Sequence, residues 1–327
     1  MRLKKLWRWG LTAVLAGSVA LFAAVPAGPG VINFVEGQAS IDGRAISGKS
    51  VGEAQLQRGD VLQTADGRAE ILLSPGVFLR VGQNSSVRMM STDLLDTRVA
   101  LERGSALVEA DELHKEGAIR VQDAGAQTTL LKKGLYRFSA DTPSVAVYDG
   151  QAQVMENDKA VEVKSGHEVA LTAPVAAKKF DKNVLESNDS LYAWSKLRSE
   201  YLSEASATTA RTYVVNNWGG WYGPGWYWNP GFSTYAWLPG DPVFYSPFGW
   251  GYYSPFAYTT GLLYLPGGYY APGRYYRGVR PVLPARGRVI APRAPVTTLR
   301  AAPRMGFSGG FRSGMGAGIG RTGGHGR

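Results

Sequence analysis

The sequence predicts an all-β domain, a twisted β stack of sandwich or solenoid type, followed by one helix and a largely irregular or disordered C-terminal half. Three observations predict it. Short apolar runs between residues 31 and 174 are broken by Gly or Asp about every eight to twelve residues, as in all-β domains. The apolar spacing becomes helical between residues 181 and 212, and beyond residue 212 a Gly/Pro-rich composition opposes regular structure.

Residues 1–27 have the pattern of a secretory signal peptide. Four basic residues come first, and the uncharged apolar run 11–25 follows. At about fifteen residues this run is shorter than the ~20 that a spanning helix needs, and small residues precede a cleavage point between Ala27 and Gly28. We therefore expect an exported protein that is periplasmic, outer-membrane-associated or secreted. An uncleaved anchor, with Trp7 and Trp9 at the membrane interface, is the alternative.

Residues 28–175 form the predicted β domain. Residues 61–64 and 69–74 are among its candidate strands, separated by a predicted turn at Asp66-Gly67. Further turns are predicted at Pro75-Gly76, Lys133-Gly134 and Asp149-Gly150, because glycine adopts the positive φ angle that tight turns require. The sequence thus indicates a stack of short strands with no helix between them.

The stretch LQRGDVLQTADGRAEILLSPGVFLRVGQNSSVRM, residues 56–89, resembles the signature of the FecR family. The later strings VALERGSALVEA, YDGQAQV and VKSGHEVAL follow the family's order, so the resemblance spans residues 30–172. It implies a periplasmic domain, which in iron-uptake regulators relays a signal from an outer-membrane receptor to a cytoplasmic sigma factor. Those regulators carry a folded cytoplasmic region, whereas only ten residues precede the apolar run here. The resemblance therefore implies a periplasmic module that binds or scaffolds.

Several strings in the sequence match catalytic motifs without the context that catalysis needs. Residues 43–50, GRAISGKS, match the phosphate-binding loop, but no long helix or βαβ unit follows to hold a phosphate. Residues 306–310, GFSGG, match a nucleophile elbow around Ser308 without a strand-to-helix turn. The acid pair Asp111-Glu112 is expected in an exposed loop, and the three histidines are far apart in a chain without cysteine. We expect no enzymatic activity, no metal and no cofactor.

Residues 181–212 are predicted as a helical spacer that packs on its own domain. Its apolar positions are mostly three, four or seven residues apart, and Asn188 or Asp189 is a candidate N-cap. The predicted apolar stripe consists of Leu185, Leu191, Trp194, Leu197, Tyr201 and Leu202.

Residues 213–276 form an aromatic, Gly/Pro-rich region without helical or strand periodicity. It could fold back over the β domain, bind a protein or glycan partner, or lie at a membrane interface, since Trp and Tyr suit all three roles. The candidate partner or glycan contacts are Trp218, Trp221, Trp226, Trp228, Trp237 and Trp250.

Residues 277–327 are a basic, Gly/Arg-rich tail that is predicted to be disordered. From residue 205 onward, twelve arginines, no lysine and one acid, Asp241, give a net charge of +11. Such a segment attracts anionic polymers, and export favours those of the envelope over nucleic acid. The sequence therefore predicts a non-enzymatic envelope binding or scaffold protein. Its partners would be anionic envelope polymers or another envelope protein, and it would meet the membrane through an uncleaved signal or peripheral contact. The alternative is a periplasmic signalling or sensor component.

Overall fold

The computed structural model describes residues 27–157, 159–172, 176–261 and 263, together with the backbone but not the side chains of residues 184 and 185. These residues belong to one compact unit, Met1–Pro272. The predicted signal peptide up to residue 26 and everything from residue 264 onward, including the Gly/Arg-rich tail, lie outside the described residues.

Fifteen of the strands in the described residues belong to one β-sheet that curls around a common core. The first seven are β1 (Ile32–Ile41), β2 (Arg44–Ile46), β3 (Val61–Ser74), β4 (Val77–Val81), β5 (Ser86–Asp93), β6 (Asp96–Arg103) and β7 (Ser105–Ala110). The next eight are β8 (Ala118–Asp123), β9 (Ala126–Leu130), β10 (Gly134–Ser139), β11 (Ser144–Asp149), β12 (Gln151–Glu156), β13 (Lys159–Lys164), β14 (His167–Ala170) and β15 (Ala177–Lys179).

The strand order is β13-β12-β9-β8-β6-β5-β3-β4-β7-β10-β11-β14-β15, and β1 pairs with both β2 and β3. Neighbouring strands are antiparallel except β6 and β8, which are parallel. The expected all-β domain followed by a helix is therefore confirmed. Among the described residues, no helix combines the length and apolarity that crossing a membrane requires.

The turn predicted at Asp66-Gly67 is wrong, because β3 runs straight through it. Gly67 lies opposite Gly37 of β1, and a Cβ atom at Gly67 would lie 2.5 Å from the backbone nitrogen of Gln38. Glycine at this position allows the two strands to approach closely and does not reverse the chain. Pro75-Gly76 does form the hairpin turn between β3 and β4, and Gly76 has a φ of +80°.

Strands β4 and β7 and the second half of β3, residues 69–74, are buried on both faces. In β4, Val77, Leu79 and Val81 point into the main core, whereas Phe78 and Arg80 point to the opposite, outer face. The outer face is covered by the helical and aromatic segments, so the polar residues on it are withdrawn from solvent.

Two helices follow the sheet, α1 (Lys182–Asn188) and α2 (Ser190–Val215). The side chain of Asp189 caps α2 by accepting hydrogen bonds from the backbone nitrogens of Leu191 at 2.8 Å and Tyr192 at 3.2 Å. As expected, α2 packs on the β domain, and Leu202 lies in a cluster with residues of β3 and β4.

The predicted apolar stripe of α2 is wrong at two positions. Leu197 is 63% exposed and Tyr201 is 39% exposed, whereas Ser195, Arg198 and Ser199 are buried. The helix has rotated a polar, small-residue face inward because the sheet face that it covers carries buried carboxylates. The side chain of Leu185 lies outside the described residues.

The aromatic region is ordered as far as it is described. It forms two hairpins and a short helix: β16 (Gly225–Asn229), β17 (Thr234–Leu238), β18 (Val243–Tyr245), β19 (Gly251–Tyr253) and α3 (Phe256–Thr259). Of the three alternatives for this region, folding back onto the β domain therefore holds for both hairpins. The sequence of β17 shows no alternation of apolar and polar residues because this strand is buried along its whole length.

Candidate binding surface

The six candidate tryptophans do not form one platform. Trp237 is fully buried, with ring centroids 5.4 Å from Phe244 and 5.3 Å from Tyr252. Trp226 and Trp228 are half-buried: the Trp226 ring packs 5.0 Å from Phe78, and the Trp228 ring contacts Tyr235 at 5.1 Å. These three attach the aromatic region to the β domain.

The other three tryptophans lie elsewhere. Trp218 and Trp221, in the loop after α2, pack against each other with ring centroids 5.3 Å apart. Trp250 is half-buried in the turn of the second hairpin, where its backbone oxygen accepts a hydrogen bond from Ser246 at 2.8 Å. All three are half-buried, and Trp218 and Trp221 lie next to the exposed Tyr222.

Asn33 of β1 fastens the first aromatic hairpin to the sheet. Its Oδ1 accepts hydrogen bonds from the backbone nitrogen of Tyr235 at 2.7 Å and from Thr234 Oγ1 at 3.0 Å. Its Nδ2 donates to Glu70 Oε1 at 2.9 Å. One fully buried amide thus joins strands that are about 200 residues apart in sequence.

A buried ion cluster lies between α2 and the outer sheet face. Arg80 Nε donates to Glu70 Oε2 at 2.9 Å, and Arg80 Nη1 pairs with Glu109. From α2, Arg198 Nη2 donates to Glu70 Oε1 at 3.0 Å, and Ser199 Oγ donates to Glu109 Oε1 at 2.6 Å. Although burial alone would raise it, Arg198 and Arg80 hold the pKa of Glu70 below its usual value.

Asp111 is the unpaired member of this neighbourhood. It is fully buried, which corrects the expected exposed loop, and within the described part of the chain neither of its carboxylate oxygens has a hydrogen-bond donor. Burial and the neighbouring Glu109 raise the pKa of Asp111 well above its usual range, against the opposing effect of Arg80 and Lys133. Burial and Glu109 also raise the pKa of Tyr252. Asp111 therefore binds its proton more tightly than an exposed aspartate does.

Asp111→Asn should stabilise the protein at pH 8 by about 1–3 kcal/mol, because the neutral amide avoids the cost of protonating a buried carboxylate, about 1.4 kcal/mol per unit of raised pKa. The stability that protonated Asp111 gives is complete below its unfolded pKa near 4 and is lost as the pH rises through its raised folded pKa. Urea unfolding of both proteins at pH 4.5 and pH 8 measures the difference in stability. Glu70, whose lowered pKa gives the opposite pH dependence, is present in both proteins, so its contribution cancels. Asp149→Asn, at an exposed position, is the control, and an equal effect of both variants would contradict the prediction.

The buried ion cluster is closed to substrates. Glu70, Arg80 and Glu109 are all fully buried, and two surface hollows of the domain are lined by other residues. Among the described residues, no group of three His, Asp or Glu is arranged to hold a metal ion. The cluster therefore joins α2 to the outer face of the sheet.

The larger surface hollow is an open groove of about 490 Å³ along β1, β2 and β3. It is lined mainly by uncharged residues, including Gln38, Ser40 and Gln63, and Arg103 supplies its one lining charge. Among the described strands β2 pairs only with β1, so no described strand occupies its other edge, which could accept an extended chain. No local sequence pattern indicates this groove, because its lining residues come from separate strands.

The catalytic-motif matches gain no support in the described residues. The string at residues 43–50 forms β2 and a single 3-10 turn, Gly48–Ser50, whose N-cap is Ser47, and no α-helix follows it. His114 is exposed, and His167 Nδ1 lies 3.1 Å from the backbone oxygen of Ser165. Ser308 and His325 lie outside the described residues.

No family model matches the chain, and no curated protein matches it. Among solved structures, the chain is similar to two crystal structures of a "putative anti-sigma factor" from Parabacteroides distasonis. One is 16% identical over 37% of this chain and 59% of the other chain, and the second is 15% identical over 38% and 61%. Both superpose with a TM-score of 0.33, which is too low to indicate the function of this chain. The chain thus spans about three fifths of the structures that it matches.

Proposed function

We propose that this protein is an exported, non-enzymatic component of the bacterial cell envelope. Its β domain serves as a rigid carrier for the C-terminal half, which makes the envelope contacts. The observation that supports this best is the attachment of the aromatic hairpins and α2 to the sheet through Asn33, Arg198 and the buried ion cluster. A segment fixed so firmly presents its outer loops in a defined direction.

The electrostatics of the chain support an anionic partner. Residues 264–327 contain eleven arginines and no acidic residue, which favours salt-dependent attraction to phosphate-bearing or carboxylate-bearing envelope polymers. The β domain supplies no comparable basic excess, since residues 1–204 carry nearly balanced charge.

Cell fractionation with N-terminal sequencing tests the proposal. We expect a mature chain that begins at Gly28, found in the envelope fraction and released by high salt. Replacing five tail arginines by glutamine should release the protein at low salt, whereas replacing them by lysine should not, because lysine keeps the charge. The five are Arg277, Arg280, Arg286, Arg288 and Arg293. An unprocessed chain in the cytosol would refute the proposal.

The groove along β1–β3 favours a second candidate, a periplasmic signalling or sensor component. An extended segment of a receptor could add to the free edge of β2, with an acidic side chain facing Arg103. The resemblance to the FecR family points in the same direction. Crosslinking from Gln63, which lines the groove, would capture a receptor if this candidate is right, and Arg103→Glu would abolish the capture.

A further inference from the structure

The loop after α2, residues 216–224, carries one exposed and two half-buried aromatic side chains and no charge. Its sequence is NNWGGWYGP, and Tyr222 at its tip is 94% exposed. Phe256 of α3 is 40% exposed, and Val215, the last residue of α2, is 58% exposed. We call Trp218, Trp221, Tyr222 and Phe256 the aromatic tip. It is an apolar surface that nothing in the described residues covers completely.

The rings of the aromatic tip are packed at steep angles to each other. The ring centroids of Trp218, Trp221 and Phe256 are 5.2 to 5.3 Å apart, with interplanar angles of 57°, 48° and 84°. A sugar ring stacks best on a flat, open aromatic face, and rings turned edge to face against each other leave less of that face open. Such a cluster is better suited to a soft apolar layer than to a glycan.

Charge complementarity identifies the kind of layer. No charged residue occurs between Asp241 and Arg274, and eleven arginines without an acid then follow up to residue 327. Phe256 lies only five residues before Gly261, near the end of the described chain, so the basic segment begins about a dozen residues beyond it. A bilayer with anionic headgroups offers an apolar interior for the rings and a negative surface for the arginines in one partner.

We propose that the aromatic tip inserts into the interfacial layer of a phospholipid membrane that carries anionic headgroups. The inference rests on the proposed envelope function and names the envelope component. Insertion requires no spanning helix, because Trp and Tyr side chains favour the membrane–water interface, at the depth of the lipid headgroups. It also desolvates no charge, since the loop carries none.

Tyr245 provides a matched control for Tyr222. It is 62% exposed in the same aromatic region but lies beside the middle of α2, away from the aromatic tip, because its neighbour Ser246 contacts Ser199 at 3.3 Å. About 24 Å of helix axis separate Ser199 from Val215, beside the aromatic tip.

The experiment is vesicle flotation of the full mature chain, with phosphatidylglycerol/phosphatidylcholine vesicles compared with phosphatidylcholine alone. We expect binding to the anionic vesicles that Tyr222→Ser weakens by about tenfold, the order of effect of one buried aromatic side chain, and that Tyr245→Ser leaves unchanged. Replacing Arg274, Arg277 and Arg280 by glutamine should weaken binding at low salt and reduce its salt dependence. Val215→Ser is a second variant, at an exposed apolar residue beside the tip, and it should also weaken binding to the anionic vesicles.

Three outcomes would overturn the inference. Equal binding by wild type and Tyr222→Ser would show that the tip does not touch the bilayer. Binding to soluble glycan but not to vesicles would assign the tip to sugars, and Tyr222-dependent self-association without vesicle binding would assign it to a second copy. Each of these leaves the proposed function standing if the protein still fractionates with the envelope. Recovery of the unprocessed chain from the cytosol would instead remove the proposed function, whatever the vesicles show.

Discussion

Arg80→Met is expected to destabilise the folded protein by about 3–5 kcal/mol, the usual cost of leaving a buried charge without its partner. Arg80 is the shared cation of Glu70 and Glu109, and all three side chains are fully buried. Glu70 would retain Arg198 and Asn33, but Glu109 would retain only the hydroxyl of Ser199 among its hydrogen-bonding partners described above. Urea unfolding at pH 7 measures the loss as a fall in the denaturation midpoint.

An exposed ion pair of the same sheet provides the control for Arg80. Arg88 pairs with Glu102, and their side chains are 40% and 36% exposed, so Arg88→Met should cost less than about 1 kcal/mol. Adding Glu109→Gln to Arg80→Met should recover much of the lost stability, since Glu109 then carries no unpaired charge while Glu70 keeps Arg198. Equal effects of Arg80→Met and Arg88→Met would contradict the role of burial.

Trp237→Ala is expected to destabilise the protein by about 3–5 kcal/mol, because it removes a large, fully buried ring and leaves a cavity. The ring packs against Phe244 and Tyr252 and covers Gly76, where a Cβ atom would lie 2.9 Å from it. Trp237 therefore joins both aromatic hairpins to the turn between β3 and β4.

The loss should be concentrated in the aromatic region. Hydrogen exchange should increase most in β17 and β19, and limited proteolysis should cleave between residues 225 and 255 before it reaches the sheet. Tyr245→Ala is the control, and since Tyr245 is 62% exposed it should change stability by no more than about 0.5 kcal/mol. Unchanged exchange in both hairpins of Trp237→Ala would show that other contacts suffice to hold the region.

The two predictions concern one interface, between the outer sheet face and the segment that follows it. Arg198 of α2 combines both kinds of contact, since it pairs with Glu70 and its guanidinium lies 4.0 Å from the centroid of the Phe34 ring. Ser206 adds neutral hydrogen bonds to the backbones of Trp237 and Tyr253, each at 2.9 Å. The helix is thus held between the sheet and the aromatic hairpins.

The sequence by itself determined the all-β class and the helix after it. Those properties follow from local periodicity and turn chemistry, which are present in windows of ten to twenty residues. The resemblance to the FecR family was also visible in local motifs, residues 56–89 above all.

Only the tertiary structure decided which side chains are buried and paired. Glu70, Arg80 and Glu109 occupy alternate positions that resemble solvent-facing strand residues, but α2 covers that face, and Arg198 lies 128 positions from Glu70. The same layer turned Leu197 outward and buried Asp111. Periodicity shows that a strand has two faces, but whether the second face meets water depends on a distant segment whose packing no local window contains.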